Sequence, residues 1–314
     1  KTGKAVLSCH YGLYDLVVPI SHQGRVKALV VSGSFARALP DEEWLRNQWK
    51  RISGRQPGAN DPEFLTYARA VLNTPVLNEK LVSGYTELLG LMGELALGAK
   101  DAEKVSDVIQ KLRTKLFIPG FPTRMIRYVL AKRDRLSWGP WDGDDLAPWD
   151  KEEFGLTRHP NTVLAVRPLS SQGTPTDLTR IVQAAQLQRF SYEWVSDERD
   201  TIAGPLEGEG CFLLTSPDPK KTPAQAQLQI RDLADRFSRA VLKSTGMRVL
   251  IGISRIDAAV EEMPEYFHQA LTALRFAGHS RKTPYFFDQL PEAPRDGLYG
   301  LSRILAEAIG RGKE

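Results

Sequence analysis

The sequence predicts an α+β protein built from two domains. Three observations lead there. Strand-like apolar runs open each half, helical periodicities follow those runs, and the stretch from 135 to 149 breaks every periodicity between them. A length of 314 residues by itself also favours two domains over one.

In the first half, Ala5-Val6-Leu7 and Leu16-Val17-Val18-Pro19-Ile20 are short runs rich in branched residues. The turn residues Ser21-His22-Gln23-Gly24 and a third run, Val26 to Gly33, complete a hairpin, with Pro19 near the end of its strand. Pro40-Asp41-Glu42-Glu43-Trp44 reads as a helix start, because proline and acids suit the first turn. Further helices are expected from Pro62 to Leu72 and from Asn78 to Leu97. The latter carries Leu81, Tyr85, Leu88, Leu89, Met92 and Leu95 at helical spacing. Ala102 to Leu116 places Val105, Val108, Leu112 and Leu116 on one stripe, which suits either a dimerising helix or one packed on its own domain.

Between Arg135 and Trp149, glycine, proline and aspartate alternate with Trp138, Trp141 and Trp149. This is a connector pinned at points by its indoles, which either pack or line a groove between domains. The second half then reads strand (161–167), helix (176–188 with Leu178, Ile181, Val182 and Ala185 on one face) and two strands facing each other across Glu207-Gly208-Glu209-Gly210. A helix from Ala224 to Leu242 follows, with Leu228, Leu233, Phe237 and Val241 inward. Strand 248–254, helix 264–277 with Phe267, Leu271 and Leu274 inward, and strand 284–287 close the domain.

Composition narrows the function. Apolar residues make up 42% and charged residues 25%, as in an ordinary globular protein with a sizeable core. The 42 basic and 38 acidic side chains leave a net charge of +4, without the basic blocks that mark a nucleic-acid surface. The densest basic stretch, Lys132-Arg133-Asp134-Arg135, is interrupted by an acid and reads as a solvated helix face. Two cysteines, Cys9 and Cys211, form no CxxC motif or disulfide framework, and a reducing cytoplasm fits them. No metal or cofactor is expected. The apolar run from Leu88 to Leu97 is broken by Gly90, Gly93 and Glu94 and is too short to span a bilayer, so no membrane partner is expected.

Sites for chemistry are few. The glycines from Gly204 to Gly210 lie between two strands, whereas a phosphate cradle needs glycines leading directly into a helix N-terminus. Cys9 and His10 are neighbours. On a strand they point to opposite faces, so they form a dyad only if the chain turns there, and Gly12 permits a turn. Three readings stay open for the pair: a buried cysteine beside a hydrogen-bonded histidine, part of a ligand pocket, or catalysis. Asp15 could accept hydrogen bonds from a hydroxyl-bearing ligand, or serve as a cap or turn residue. His159 and His268 read as loop and boundary residues, and Cys211 as a small core residue.

Two segments resemble known families. Cys9-His10-Tyr11-Gly12-Leu13-Tyr14-Asp15-Leu16-Val17-Val18-Pro19-Ile20, followed by Gly24 and Ser32-Gly33, is similar to the CHxGLxDLxxPI signature of the PocR-type sensory domain. Pro40, Trp44, Phe64-Leu65-Thr66-Tyr67 and Pro75-Val76-Leu77 fall where that family places them. The resemblance covers residues 1–98. It implies a PAS-like fold that senses a small organic effector, with Cys9, His10, Tyr11, Gly12 and Asp15 near the ligand. The chain opens at Lys1 without a methionine, and the expectation is that a further N-terminal portion of this domain precedes it.

The second resemblance rests on Ile251-Gly252-Ile253-Ser254, Tyr266 to Arg275 and Tyr285-Phe286-Phe287-Asp288. These are similar to the degenerate GGDEF-like domain of YesN-type AraC-family regulators, with Glu265 in place of a usual serine. The implied fold is adenylyl-cyclase-like, of the ferredoxin type. Active cyclases carry an acidic signature on the central hairpin, where this chain reads Gly208-Glu209-Gly210-Cys211-Phe212. Arg167-Pro168-Leu169 replaces a further metal carboxylate. The resemblance therefore implies a domain without cyclase activity.

The expected organisation is a sensory domain at 1–98, a helical connector at 99–158, a GGDEF-like domain at 159–290 and a helical lead at 291–314, where Leu298, Leu301, Leu305 and Ile309 share a stripe. In such regulators this lead runs to a DNA-binding domain that is not in this sequence. Self-association is also expected, and the family context implies transcription control and no enzyme.

Overall fold

A computed structural model describes residues 4–22, 25–58, 60–97, 160–169, 176–206, 208–256, 263–280 and 282–290. The expected helices at 102–116 and 297–310, the tryptophan-rich connector and His159 lie outside the described residues.

The first half opens on an antiparallel meander of β1 (Val6–His10), β2 (Leu13–His22) and β3 (Arg25–Phe35). Pro19 lies beyond the last β1–β2 pair, Val6 with Val17, so only β3 flanks it. Helices α1 (Glu42–Ser53), α2 (Pro62–Leu72) and α3 (Glu79–Ala96) follow. Each starts at a side-chain cap. Asp41 accepts the Trp44 N–H, Asp61 accepts those of Glu63 and Phe64, and Asn78 accepts that of Leu81. Pro62 occupies the first turn of α2, where its missing N–H costs nothing.

Helix α3 covers one face of the meander. Leu89, Val82 and Tyr85 meet Leu16, Val18, Ile20 and Phe35 there. The inward stripe is rotated from the expected one, since Met92 and Leu95 are exposed. Gly93 accounts for the rotation. A Cβ at that position would stand 2.4 Å from Ile20 Cδ1, so the bare glycine turns to the sheet and Met92 turns away.

The second half runs β4 (Thr162–Pro168), α4 (Asp177–Val195), β5 (Thr201–Leu206), β6 (Gly210–Thr215), α5 (Pro223–Thr245), β7 (Val249–Ile253), α6 (Met263–Ser280) and β8 (Tyr285–Phe286). The sheet order β5-β6-β4-β7-β8 is antiparallel except for the β7–β8 pair. A βαββαβ core of ferredoxin type is thus extended by α6 and β8. The expected α+β class and the expected element order of this half are both present.

Strand β4 reads as a continuous apolar run because it is buried on both sides. Val163 and Ala165 pack with Phe267, Ala270 and Leu274 of α6, while Leu164 and Val166 pack with Leu187 of α4 and Ile230 and Phe237 of α5. One inward assignment on α5 is corrected. Leu228 is 66% exposed, because the buried stripe runs through Ala226, Ile230, Leu233, Ala234, Phe237 and Val241. Leu228 lies about 200° around the helix from both Ala226 and Ile230.

The halves share a core. Leu178, Ile181 and Val182 of α4 are buried together with Leu45 of α1 and Phe64, Leu65, Ala68, Val71 and Leu72 of α2. Helix α4 therefore has two apolar sides, one on its own sheet through Leu187 and Val195, the other on the first half.

Candidate functional site

The expected site residues sit around the tight connection between β1 and β2. His10 pairs with Leu13, so the loop is only Tyr11 and Gly12, with φ of 50° and 84°. Two consecutive left-handed residues are what a two-residue hairpin needs to match the strand twist. Glycine adopts this conformation freely, and tyrosine does not. Tyr11 is nevertheless 61% exposed, so no burial of its ring offsets the strain. Gly12 also has a steric reason to be glycine. A Cβ there would stand 2.5 Å from Cζ2 of the Trp44 indole.

Register then assembles a polar cluster. Ser8 pairs with Asp15, and His10 lies two residues further on the same face of β1. Ser8 Oγ and His10 Nε2 are 3.0 Å apart, and the same nitrogen is 3.7 Å from Asp15 Oδ2. Ser34, at the end of β3, donates to Asp15 Oδ1 at 2.9 Å. His10 and Asp15 are thus brought together. Ser8 and Ser34 were not anticipated. On the same sheet face Val6, Leu29 and Val31 are exposed and lead away from the polar group.

Cys9 is placed differently. It pairs with Tyr14 on the opposite face of β1, so it does not join His10 in a dyad, and the turn begins one residue too late to bring them together. It is also exposed, in contrast to the buried reading left open for it. The serine, histidine and aspartate near the turn do not form a relay either. A relay needs the base held through one ring nitrogen while the other faces the nucleophile. Here both Ser8 and Asp15 address Nε2.

The second half carries the other candidate region, the β5–β6 hairpin. Glu209 at its tip is exposed, and Glu207 lies outside the described residues. Gly210 serves packing, since a Cβ there would stand 2.0 Å from the Val166 carbonyl oxygen. Gln188 of α4 clasps the hairpin, its Nε2 donating to the Gly210 carbonyl at 2.8 Å. Arg167 is the penultimate residue of β4, paired with Leu250, and its guanidinium lies across Gly278 of α6. Among the described residues no cluster of three or more His, Cys, Asp or Glu could hold a metal ion, and no helix is long and apolar enough to cross a membrane.

Cys211 points into the core and is fully buried, and this desolvation pushes its thiol from 9.0 up to about 12, a rise that a Ser191 hydrogen bond moderates. The raised value means that the neutral thiol favours folding. That contribution is complete below pH 9 and is lost as pH rises from 9 towards 12. Stability should fall with a steeper slope over this window than in Cys211→Ala, by up to about 1.4 kcal/mol per pH unit. At neutral pH a thiol reagent should label Cys9 alone in the folded chain, and both cysteines in denaturant. Rapid native labelling of Cys211 would contradict the burial.

Residues 1–96 match the family model of the sensory domain found in PocR, and residues 153–276 match that of the GGDEF-like domain. The chain therefore carries a PocR sensory domain followed by a GGDEF-like domain. No curated protein matches the chain.

Proposed function

We propose that this chain is the ligand-sensing and dimerising region of a bacterial AraC-family transcription regulator, in which a small organic effector acts on an attached DNA-binding domain. The observation that carries the reading is the Ser8-His10-Asp15-Ser34 cluster beside the strained Tyr11 turn, inside the segment that matches a sensory domain. Strained residues persist where surrounding structure holds them, and they concentrate at ligand clamps and switches. Asp15 offers a carboxylate to a hydroxyl-bearing ligand, and His10 an imidazole next to it. Tyr11 adds an exposed ring and a phenol, and Val6, Val31 and Leu29 continue as an apolar floor.

The second half fits a regulatory role in place of nucleotide chemistry. Two-metal phosphoryl transfer needs carboxylates at close quarters. Arg167 stands near the end of β4, where the family resemblance places a metal carboxylate, and Cys211, next to Gly210 at the start of β6, faces the core. Effector binding needs only to favour one arrangement of the two halves over another to act as a switch.

A thermal-shift screen against small diols, carboxylic acids, sugars, aromatic compounds and divalent metals tests the reading. A true effector at a hundred times its Kd should add about 2.7 kcal/mol of stability. Asp15→Ala and His10→Ala should each remove that shift. A library-wide silence, or a hit that both variants retain, would refute effector binding at this turn.

A further inference from the structure

We infer that Trp44 is the mechanical link between the sensory turn and the GGDEF-like half. The inference deepens the sensor reading above and rests on it for what sets the link in motion. The backbone of Gly12 lies directly on the Trp44 indole. A Cβ there would meet Cζ2 at 2.5 Å, Cε2 at 3.2 Å and Nε1 at 3.4 Å. Because the contact is already closed, the turn cannot move towards α1 without displacing the ring.

Trp44 has little freedom to yield locally. It sits in the first turn of α1, where its own N–H is fixed by the Asp41 carboxylate at 2.8 Å. Its ring packs against the shared cluster in which Leu45, Phe64 and Ala68 meet Leu178, Ile181 and Val182 of α4. Leu178 is fully buried there. A displaced indole therefore presses on this cluster, one wall of which is α4.

Helix α4 carries the displacement onward. About 15 Å along its axis from Leu178, Gln188 holds the Gly210 carbonyl of the β5–β6 hairpin. The turn, Trp44, the shared cluster, α4 and the hairpin thus form one chain of direct contacts across both halves. The turn carrying Tyr11 and Gly12 is flanked by His10 and Asp15, so an effector engaging those two side chains acts on the first member of the chain.

The test is amide hydrogen exchange on the whole 314-residue chain, without ligand. Gly12→Ala forces a Cβ into the indole. Exchange in residues 177–188 should rise about tenfold, within the range expected for coupled contacts, while α3 and β7 keep their protection and show that the fold is intact. Added to a Trp44→Ala background, Gly12→Ala should change exchange in α4 by less than about twofold, because its partner is gone. Trp44→Phe replaces that background if the alanine variant does not fold. An α4 unmoved by Gly12→Ala, or an equal response with and without the indole, would overturn the link. A silent ligand screen would remove the sensor and leave this coupling standing. An unmoved α4 would remove the link and leave binding at His10 and Asp15 untouched.

Discussion

Gly252→Ala is expected to destabilise the second half by about 3 kcal/mol, near the upper end for an overpacked core. Gly252 lies in β7, where α6 crosses the sheet at backbone contact. A Cβ there would stand 2.1 Å from the Leu274 nitrogen and 2.3 Å from the Ala270 oxygen. Both neighbours are main-chain atoms of a helix, so no side chain can rotate away. Relief requires α6 to lift off and open the layer formed by Phe267, Ala270 and Leu274 against Val163 and Ala165. Denaturant unfolding of the variant against the parent measures the loss. A difference within about 0.5 kcal/mol, the range of an ordinary surface change, would mean that α6 does not approach the sheet this closely. The opposite expectation holds for Gly33, whose Cβ would meet nothing within 4 Å.

The second large effect is expected at Leu178. This side chain belongs to α4 in the second half, yet its buried neighbours are Leu45, Phe64, Leu65 and Ala68 of the first. Leu178→Ala removes a fully buried leucine from a cluster of large side chains, a change that costs about 3 kcal/mol when the site does not collapse. What distinguishes it is where the loss appears. Calorimetry should show the first half melting earlier although the substitution lies in the second. Ile230→Ala, which empties the second half's own core, should lower only that half's transition. If Leu178→Ala leaves the first half's transition in place, the two halves do not stabilise each other through this cluster.

Local features of the candidate site were readable from residue order. Gly12 after Tyr11 marks a possible turn, and a two-residue connection pairs Ser8 with Asp15 by counting outward from His10 and Leu13. That count places Ser8 beside Asp15. Ser34 was beyond such counting. Its approach to Asp15 depends on the irregular β2–β3 register between Tyr14 and Leu16, which no local pattern announces. The exposure of Cys9 was equally hidden, since alternation assigns it a face but not what covers that face.

Helix periodicity showed where apolar stripes run, and it failed where a small residue or a second partner decides which stripe turns inward. Gly93 drew α3 round by its lack of a side chain, so Met92 faces outward. Leu228 is apolar but out of phase with the α5 core stripe. By itself the sequence determined the α+β class, the element order and the helix starts near Pro40, Pro62 and Asn78, and it permitted a turn at Gly12, because each depends on neighbours a few residues away. Tertiary structure alone decided that Trp44 lies under that turn and that Leu178, Ile181 and Val182 face the first half. Those contacts join residues far apart in the chain. Their free energy comes from apolar area removed from water and from close packing, and neither carries a sequence distance.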